Sequence, residues 1–401
     1  MMSEPRHVHV RGPLAPYAAG FEEDLAARGY RSTSDHLYVM AQLSRWLVSQ
    51  KLGAADLSAS GVEKFVQWRS AAGYVSPLSL CRMSRLVDHL VSVGVVPRFE
   101  PAVPDTAVEL LMDRYRRYLA DERGLAASSI RNYAEVARDF LSHVAMEAEL
   151  DLEALTAAEV TEFVLSECRR CKTGSAKSMT TRLRSLLRFL YVVGVTSNEL
   201  ACAVPSVATW RLASLPKAID ACDVARLLRS CDRRRVTGRR DFAVLMVLSR
   251  LGLRADEVAK LQLDSIDWRS GELLVHGKGS REDRLPLPVD VGEAVVGWLK
   301  RGRPRCADRS LFTRLRAPQQ GLSSGGVSAI VRRACERAGL PLAGSHRLRH
   351  AAATGMLRAG GSLAEVGQVL RHQRADTTSI YAKVDRRSLV AVVRCWPGGA
   401  A

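Results

Sequence analysis

The sequence predicts a mainly helical protein, with helical N-terminal domains and a C-terminal block of α+β type that carries a small antiparallel sheet. Three observations point there. Apolar residues recur at the helical period through the first half of the chain. Two Pro-bearing stretches, Pro97–Pro104 and Ala203–Pro216, break that pattern. Short alternating segments then appear at Ser265–Trp268, Glu272–His276 and Asp283–Pro288, the last two joined by the turn Gly277-Lys278-Gly279.

These breaks give a flexible N-terminus over 1–16, a helical domain over 17–97 and a linker over 98–107. A second helical domain follows over 108–201, then a linker over 202–216 and a C-terminal domain over 217–401. The two helical domains read as diverged copies of one unit. Each opens with a helix ending near a glycine, Gly29 or Gly124, followed by Ser/Thr residues that can cap the next helix. Each closes on an apolar helix and a glycine. In the first copy the stripe is Leu80, Met83, Val87, Leu90 and Val91 before Gly94. In the second it is Leu183, Leu186, Leu187, Leu190 and Tyr191 before Gly194. In the second copy Ile130, Tyr133, Ala137, Phe140, Leu141 and Val144 mark another helix face. In the last domain Phe242–Leu253 reads as an apolar helix, and helix returns after Gly292 to the end.

Composition narrows the partners. The chain has 401 residues, a formal net charge of +17 and a pI of about 9.9, a balance suited to a polyanion such as nucleic acid. Arginine is concentrated over Arg226–Arg240 and again in the basic run Lys300–Arg316. Nine scattered cysteines suit a reducing compartment, and the lone Cys168-Arg-Arg-Cys171 reads as ordinary helix rather than a zinc site. No apolar run has the length of a membrane span and no signal peptide opens the chain, so a cytoplasmic protein without a membrane partner is expected.

Four motifs stand in order in the last domain. Ser249–Asp267 holds Arg254, with Glu257 three residues on; His276–Pro288 holds Lys278 at a hairpin tip. His346–His350 reads HRLRH, and Leu370–Asp385 holds His372 nine residues before Tyr381. Each is weak alone, but the ordered set resembles the tyrosine recombinase, or phage integrase, family. The resemblance spans the last domain, the second helical domain looks like that family's core-binding domain, and the first looks like an extra copy. It implies catalytic residues Arg254, Lys278, His346, Arg349, His372 and Tyr381. Two departures stand out: Arg371 where glycine is usual before the last histidine, and Leu251 where threonine is common.

The residue types also suggest a chemistry. Charge grows on the non-bridging oxygens of a phosphodiester under attack, and Arg254 and Arg349 can clamp those oxygens as a preorganised charge trap. That does a divalent metal's electrostatic work, so no metal is expected. Deprotonating a free tyrosine at pH 7 costs about 4 kcal/mol, so Tyr381 needs neighbouring charge and a base. His346 is the candidate base, His372 a second donor to the phosphate and Lys278 the candidate acid for the leaving 5′ oxygen. The resemblance implies a 3′-phosphotyrosine intermediate that stores the bond energy. No cofactor is expected, and the phosphate-binding loop pattern of nucleotide hydrolases is missing from the sequence.

Candidate DNA contacts are Arg131, Lys177, Arg182, Arg184 and Arg188 in the second helical domain and Arg332, Arg333 and Arg337 in the third. Ser362-Leu-Ala-Glu365 has capping-box spacing and would fix the helix before His372. The tail Asp385–Trp396 is amphipathic; the resemblance implies that it packs on a neighbouring protomer, and the pattern equally suits a tail folded back on its own domain. The expected partners are double-stranded DNA and further copies of the chain, with a tetramer on two paired sites, and other recombinase or accessory proteins. The extra helical domain favours integration, excision or transposition of a mobile element. A nick-and-reseal enzyme of type IB topoisomerase kind, an inactive DNA-binding accessory protein and a helical-repeat scaffold are the alternatives.

Overall fold

The computed structural model describes residues 8–72, 80–98, 106–147, 151–208, 218–277, 281–372 and 378–384. The chain divides into two compact units. One is Phe99–Ala213; the other combines Met1–Arg98 with Ser214–Ala401.

The first block holds α1 (Ala18–Ala27), α2 (Ser34–Ser49), α3 (Ala59–Ala71) and α4 (Leu80–Ser92). The Phe99–Ala213 unit holds α5 (Ala107–Arg117), α6 (Ala127–Glu147), α7 (Ala157–Arg170) and α8 (Thr173–Val192). Both blocks therefore contain four described helices in the same order. They also end alike. Gly94 and Gly194 each adopt φ +73°, a left-handed conformation that glycine reaches without strain. In each case the next two N–H groups turn back to one carbonyl, Leu90 or Leu190.

The stripes read from sequence need two adjustments. Among the described side chains of α4 the buried ones are Met83, Leu86, His89 and Leu90, while Val87 and Val91 are only half-buried and the Leu80 side chain is outside the described set. In α8 the leucines are buried as expected but Tyr191 is exposed. Residues 11–14, expected to be flexible, instead pack on α2. Ser44 Oγ donates to the Arg11 carbonyl at 2.6 Å and accepts from the Leu14 N–H at 3.1 Å, and Leu14 is fully buried.

The third block runs α9 (Ala221–Arg229), α10 (Val236–Leu251), α11 (Ala255–Lys260), β1 (Ile266–Asp267), β2 (Glu272–His276) and β3 (Glu282–Pro286). It continues through α12 (Val289–Arg301), α13 (Ser324–Arg337), α14 (Ser345–Arg358) and α15 (Leu363–Val369). The sheet order is β1-β2-β3, all antiparallel, with His276 opposite Glu282 at the hairpin end. Helix α10 is the centre of the core, its Ala243–Leu248 run buried all round because α12, α13 and α14 cover it. Trp298 of α12 is fully buried and donates its indole N–H to the Leu311 carbonyl at 2.8 Å.

Helix does not run unbroken after Gly292. Residues 302–323 form an irregular excursion with two isolated bridges, Gln262 to Ser310 and Thr313 to Gly321. Arg303 organises it, donating to the carbonyls of Pro304, Asp308 and Ser310. Part of the basic run is thus structural. The same holds for Arg239, which donates to the Arg301 carbonyl, and for Arg240, which is buried and paired with Asp241 at 2.8 Å. Within this unit the first block meets the third where the Gln319 N–H donates to the Arg28 carbonyl at 2.9 Å.

Gly238 opens α10 with no room for a side chain. A Cβ there would lie 1.9 Å from the Asp232 carbonyl oxygen. Gly238→Ala should therefore cost about 1–3 kcal/mol or more, because the obstruction is backbone rather than a flexible side chain. A lowered urea midpoint at unchanged slope would show it, and an unchanged midpoint would refute it.

Candidate active site

Three side chains come from one face of α14. His346, Arg349 and His350 stand at i, i+3 and i+4, the spacing that brings helical neighbours together. Arg349 is 1% exposed. Its Nη1 donates to the Gly252 carbonyl at 2.6 Å and its Nη2 to the Leu370 carbonyl. Gly252 ends α10 in the left-handed conformation, φ +60°, two residues before Arg254. Leu370 stands two residues before His372. One buried guanidinium thus bolts the turn carrying Arg254 to the loop carrying His372. Burial, then the Arg254 charge, lower the Arg349 pKa to about 10, which still leaves it charged at pH 7.

Arg254 is the N-cap of α11, with its backbone N–H donating to Glu257 Oε2 at 2.8 Å and its Nη1 to Oε1 at 2.6 Å. Glu257 is 3% exposed, and Arg371 Nη2 reaches its Oε2 at 2.7 Å. Burial pushes the Glu257 carboxyl up. The Arg254 hydrogen bonds and the Arg371 charge outweigh that and hold it below the usual carboxylate range.

Tyr381 sits on a 3-10 turn, Ser379–Val384, with its ring among Ala353, Leu357, Val366 and Leu370. It is 1% exposed, and its hydroxyl is 2.7 Å from His350 Nδ1. Burial raises the Tyr381 pKa, and the positive charges of Arg349 and Arg254 only partly reverse this. His350 is pushed down to about 4, first by burial and then by His346 and Arg349. It is therefore neutral at pH 7, and with its proton on Nε2 it accepts from the tyrosine hydroxyl. His346 is exposed, its ring 4.5 Å from that of His350. Partial desolvation of the ring, then Arg349 and Arg254, lower its pKa.

His372 also stands near the tyrosine, its ring parallel to that of Tyr381 at 6.5 Å. Its Nδ1 is 2.8 Å from Thr378 Oγ1. Burial, then Arg349 and Arg254, lower it to about 4. Helix α15 leads into it from the expected capping box, in which Ser362 Oγ accepts from the Glu365 N–H while the Glu365 carboxylate accepts from the Ser362 N–H.

The structure therefore gathers Arg254, His346, Arg349, His372 and Tyr381. Lys278, expected at the hairpin tip, lies outside the described residues, as does the tail Asp385–Trp396. The partner of the tyrosine hydroxyl is His350, not His346. The sequence signal was the second histidine of HRLRH, four residues after the first and so on the same face. Thr378, which orients His372, was also missed.

Of the candidate DNA contacts, Arg131, Arg188, Arg332 and Arg333 are exposed and Arg182 is half-buried. Arg184 is committed elsewhere, donating to the carbonyls of Val204 and Pro205. Arg337 lies 3.6 Å from Asp241 and donates to Cys231 Sγ. Lys177 also has an interaction within the protein.

The lowered histidines have a consequence for stability. In the unfolded chain a histidine titrates near 6.5, whereas His350 and His372 titrate near 4 when folded. The unfolded state then binds more protons between those values, so this contribution is complete above pH 6.5 and is lost as pH falls towards 4. Melting temperature should drop over that window, and His372→Asn should flatten the drop. An equal slope in the variant would exclude His372 as a source.

A tyrosine hydroxyl among arginines and neutral histidines is an arrangement that can make tyrosine a nucleophile in phosphoryl transfer. Comparison with known proteins agrees. Residues 217–387 match the model of the phage integrase family, and residues 112–194 match its N-terminal SAM-like domain. The chain belongs to the phage integrase family, that of the tyrosine recombinases. A Sinorhizobium fredii protein described as an integrase/recombinase, y4rA, is 41% identical over 97% of this chain and 96% of its own length. Tyrosine recombinase XerD of Listeria innocua is 30% identical over 71% of this chain and 97% of its own. Among solved structures, the XerH recombinase bound to palindromic difH superposes with a TM-score of 0.58 at 18% identity, covering 73% of this chain and 97% of that one. A lambda integrase dimer on a COC′ core site gives 0.55 at 17% identity, covering 85% and 89%. At these identities the likeness is one of fold. The first four-helix block lies outside both matched family spans.

Proposed function

We propose that the protein is a site-specific recombinase that cuts and rejoins double-stranded DNA through Tyr381. The observation that carries this is the Tyr381 hydroxyl held 2.7 Å from a neutral His350, beside the buried charge of Arg349. In cleavage the tyrosine oxygen attacks phosphorus, its proton passes to His350 Nδ1, and the bond from phosphorus to the 5′ oxygen breaks. Arg254 and Arg349 stabilise the charge that develops on the non-bridging oxygens. His346, exposed at the start of α14, and His372 donate to the same phosphate. Lys278 protonates the leaving 5′ oxygen. Rejoining runs the steps backwards from the 3′-phosphotyrosine, with no cofactor.

The chain acts on DNA as an oligomer, a tetramer on two paired sites. The lambda integrase tetramer bound to a Holliday junction, which shares this fold at a TM-score of 0.53, supports that reading. The exposed Arg131, Arg188, Arg332 and Arg333, with half-buried Arg182, supply phosphate contacts. Descriptions of relatives as integrase/recombinase support a role in moving a mobile element. The boundaries read from the sequence, with the first block as an added DNA-binding unit and the second as the core-binding unit, belong to the same proposal.

Covalent trapping tests the reading. The purified protein is incubated without added metal with nicked duplexes carrying the ends of its own element, then run on a denaturing gel. A protein–DNA band is expected. DNA binding without any such band would reduce the chain to an accessory DNA-binding protein.

A further inference from the structure

Arg371 stands where a left-handed backbone would favour glycine. Its φ is +56°, a region that side-chain-bearing residues rarely adopt. Retaining an arginine there implies that its side chain has work to do. That side chain is only 7% exposed, and its guanidinium meets two carboxylates from two other elements. Nη2 donates to Glu257 Oε2 at 2.7 Å, and Nε lies 3.8 Å from Asp283 Oδ2 on β3. Nε makes no hydrogen bond. Arg371 thus joins the start of α11, the hairpin and the loop of His372, its own neighbour in sequence.

The contact with Glu257 matters most. The carboxylate is 3% exposed and holds two arginines, Arg254 on Oε1 and Arg371 on Oε2. These two and the Arg349 charge are the cations that face it. Arg254 is the more exposed partner, at 41% of its side chain, and the one free to turn towards a phosphate. If it left and Arg371 were absent, the Arg254 backbone N–H would still reach Oε2, but the buried carboxylate would have no counter-charge in contact, which is strongly unfavourable. With Arg371 in place the carboxylate keeps a counter-charge.

We propose that Arg371 is a positioning residue that keeps Glu257 ionised and compensated while Arg254 swings to the phosphate. It stays on Glu257 throughout and touches no reacting atom. The proposal deepens the strand-cleavage reading and rests on it for its rate assay, but not for its titration.

Full-length protein labelled with 13C at glutamate side-chain carboxyls gives a Glu257 signal, assigned by its loss in E257Q. In R254A that carboxyl should remain ionised at pH 7, because Arg371 still pairs with it. In the double variant R254A/R371A it should take up its proton at a proton concentration about tenfold lower or less. A carboxyl already neutral in R254A, or unmoved in the double variant, overturns the inference. On nicked DNA, R371A should slow adduct formation by about 10- to 100-fold, the range set by losing a hydrogen bond to a charged group. R371K should recover most of that rate, and E257Q should restore part of it in the R371A background, since the charge needing compensation is gone. A loss caused only by misfolding would show no such rescue, and R371A as fast as wild type would overturn the inference. No adduct from wild-type protein would instead sink the strand-cleavage reading, while the titration would still decide the role of Arg371.

Discussion

Tyr381→Phe should abolish the covalent protein–DNA band while leaving the protein folded and able to bind DNA. The ring packs among Ala353, Leu357, Val366 and Leu370, and phenylalanine keeps all of that contact. Only the hydroxyl and its 2.7 Å hydrogen bond to His350 are lost, worth about 1 kcal/mol of stability. On the proposed mechanism the chemistry loses its nucleophile outright. The hydroxyl is also the group whose deprotonation is hard in this site, because burial raises its pKa more than Arg349 and Arg254 lower it. Reaction therefore needs a base in contact, and His350, neutral above a pKa of about 4, is the side chain in that position. Denaturing gels of the trapped complex, run beside a binding titration at several salt concentrations, would read both halves. An adduct persisting in the phenylalanine variant with normal binding would place the nucleophile elsewhere. His350→Ala should slow adduct formation more than His346→Ala; the reverse order would return the base to His346.

The parts of this arrangement that depend on local spacing are legible in the amino-acid sequence. Glu272–His276 forms a strand at the predicted bounds, and the capping box at Ser362 and Glu365 forms as its spacing requires. Both depend on residues a few positions apart. What the sequence hides depends on distant contacts. Residues 302–323 leave the helical pattern because Arg303 draws their carbonyls together and Trp298 donates across to Leu311. The bond between His350 and Tyr381 joins residues 31 apart in sequence, so nothing in either neighbourhood announces it. Arg184 reads as a phosphate ligand because a surface arginine and one that donates to backbone carbonyls are the same letter. Arg371 is visible in the sequence as an oddity, but the positive φ and the bond to Glu257 that explain it exist only in three dimensions.

Arg349→Ala should damage fold and reaction together, and the two losses can be separated. The side chain is 1% exposed and donates to two carbonyls from different segments, Gly252 and Leu370. Alanine leaves both oxygens without that donor and opens a cavity among α10, α14 and the Leu370 loop, for a cost of about 3–5 kcal/mol. On the proposed mechanism the reaction also loses a positive charge beside Tyr381, for which about a 100- to 1000-fold slower adduct is expected. Without that charge, the Tyr381 and His372 pKa values should both rise, since Arg349 lowers each of them. Arg349→Lys sorts the two losses. Lysine keeps the charge but lacks the planar fork that spans two carbonyls, so it should recover more of the reaction than of the stability. Denaturant midpoints and single-turnover adduct rates on the same preparations would measure both. If lysine restored stability but not rate, the forked geometry at the phosphate, rather than charge, would be what the reaction requires of Arg349. If alanine left the rate intact, the residue would be a bolt between two loops and nothing more.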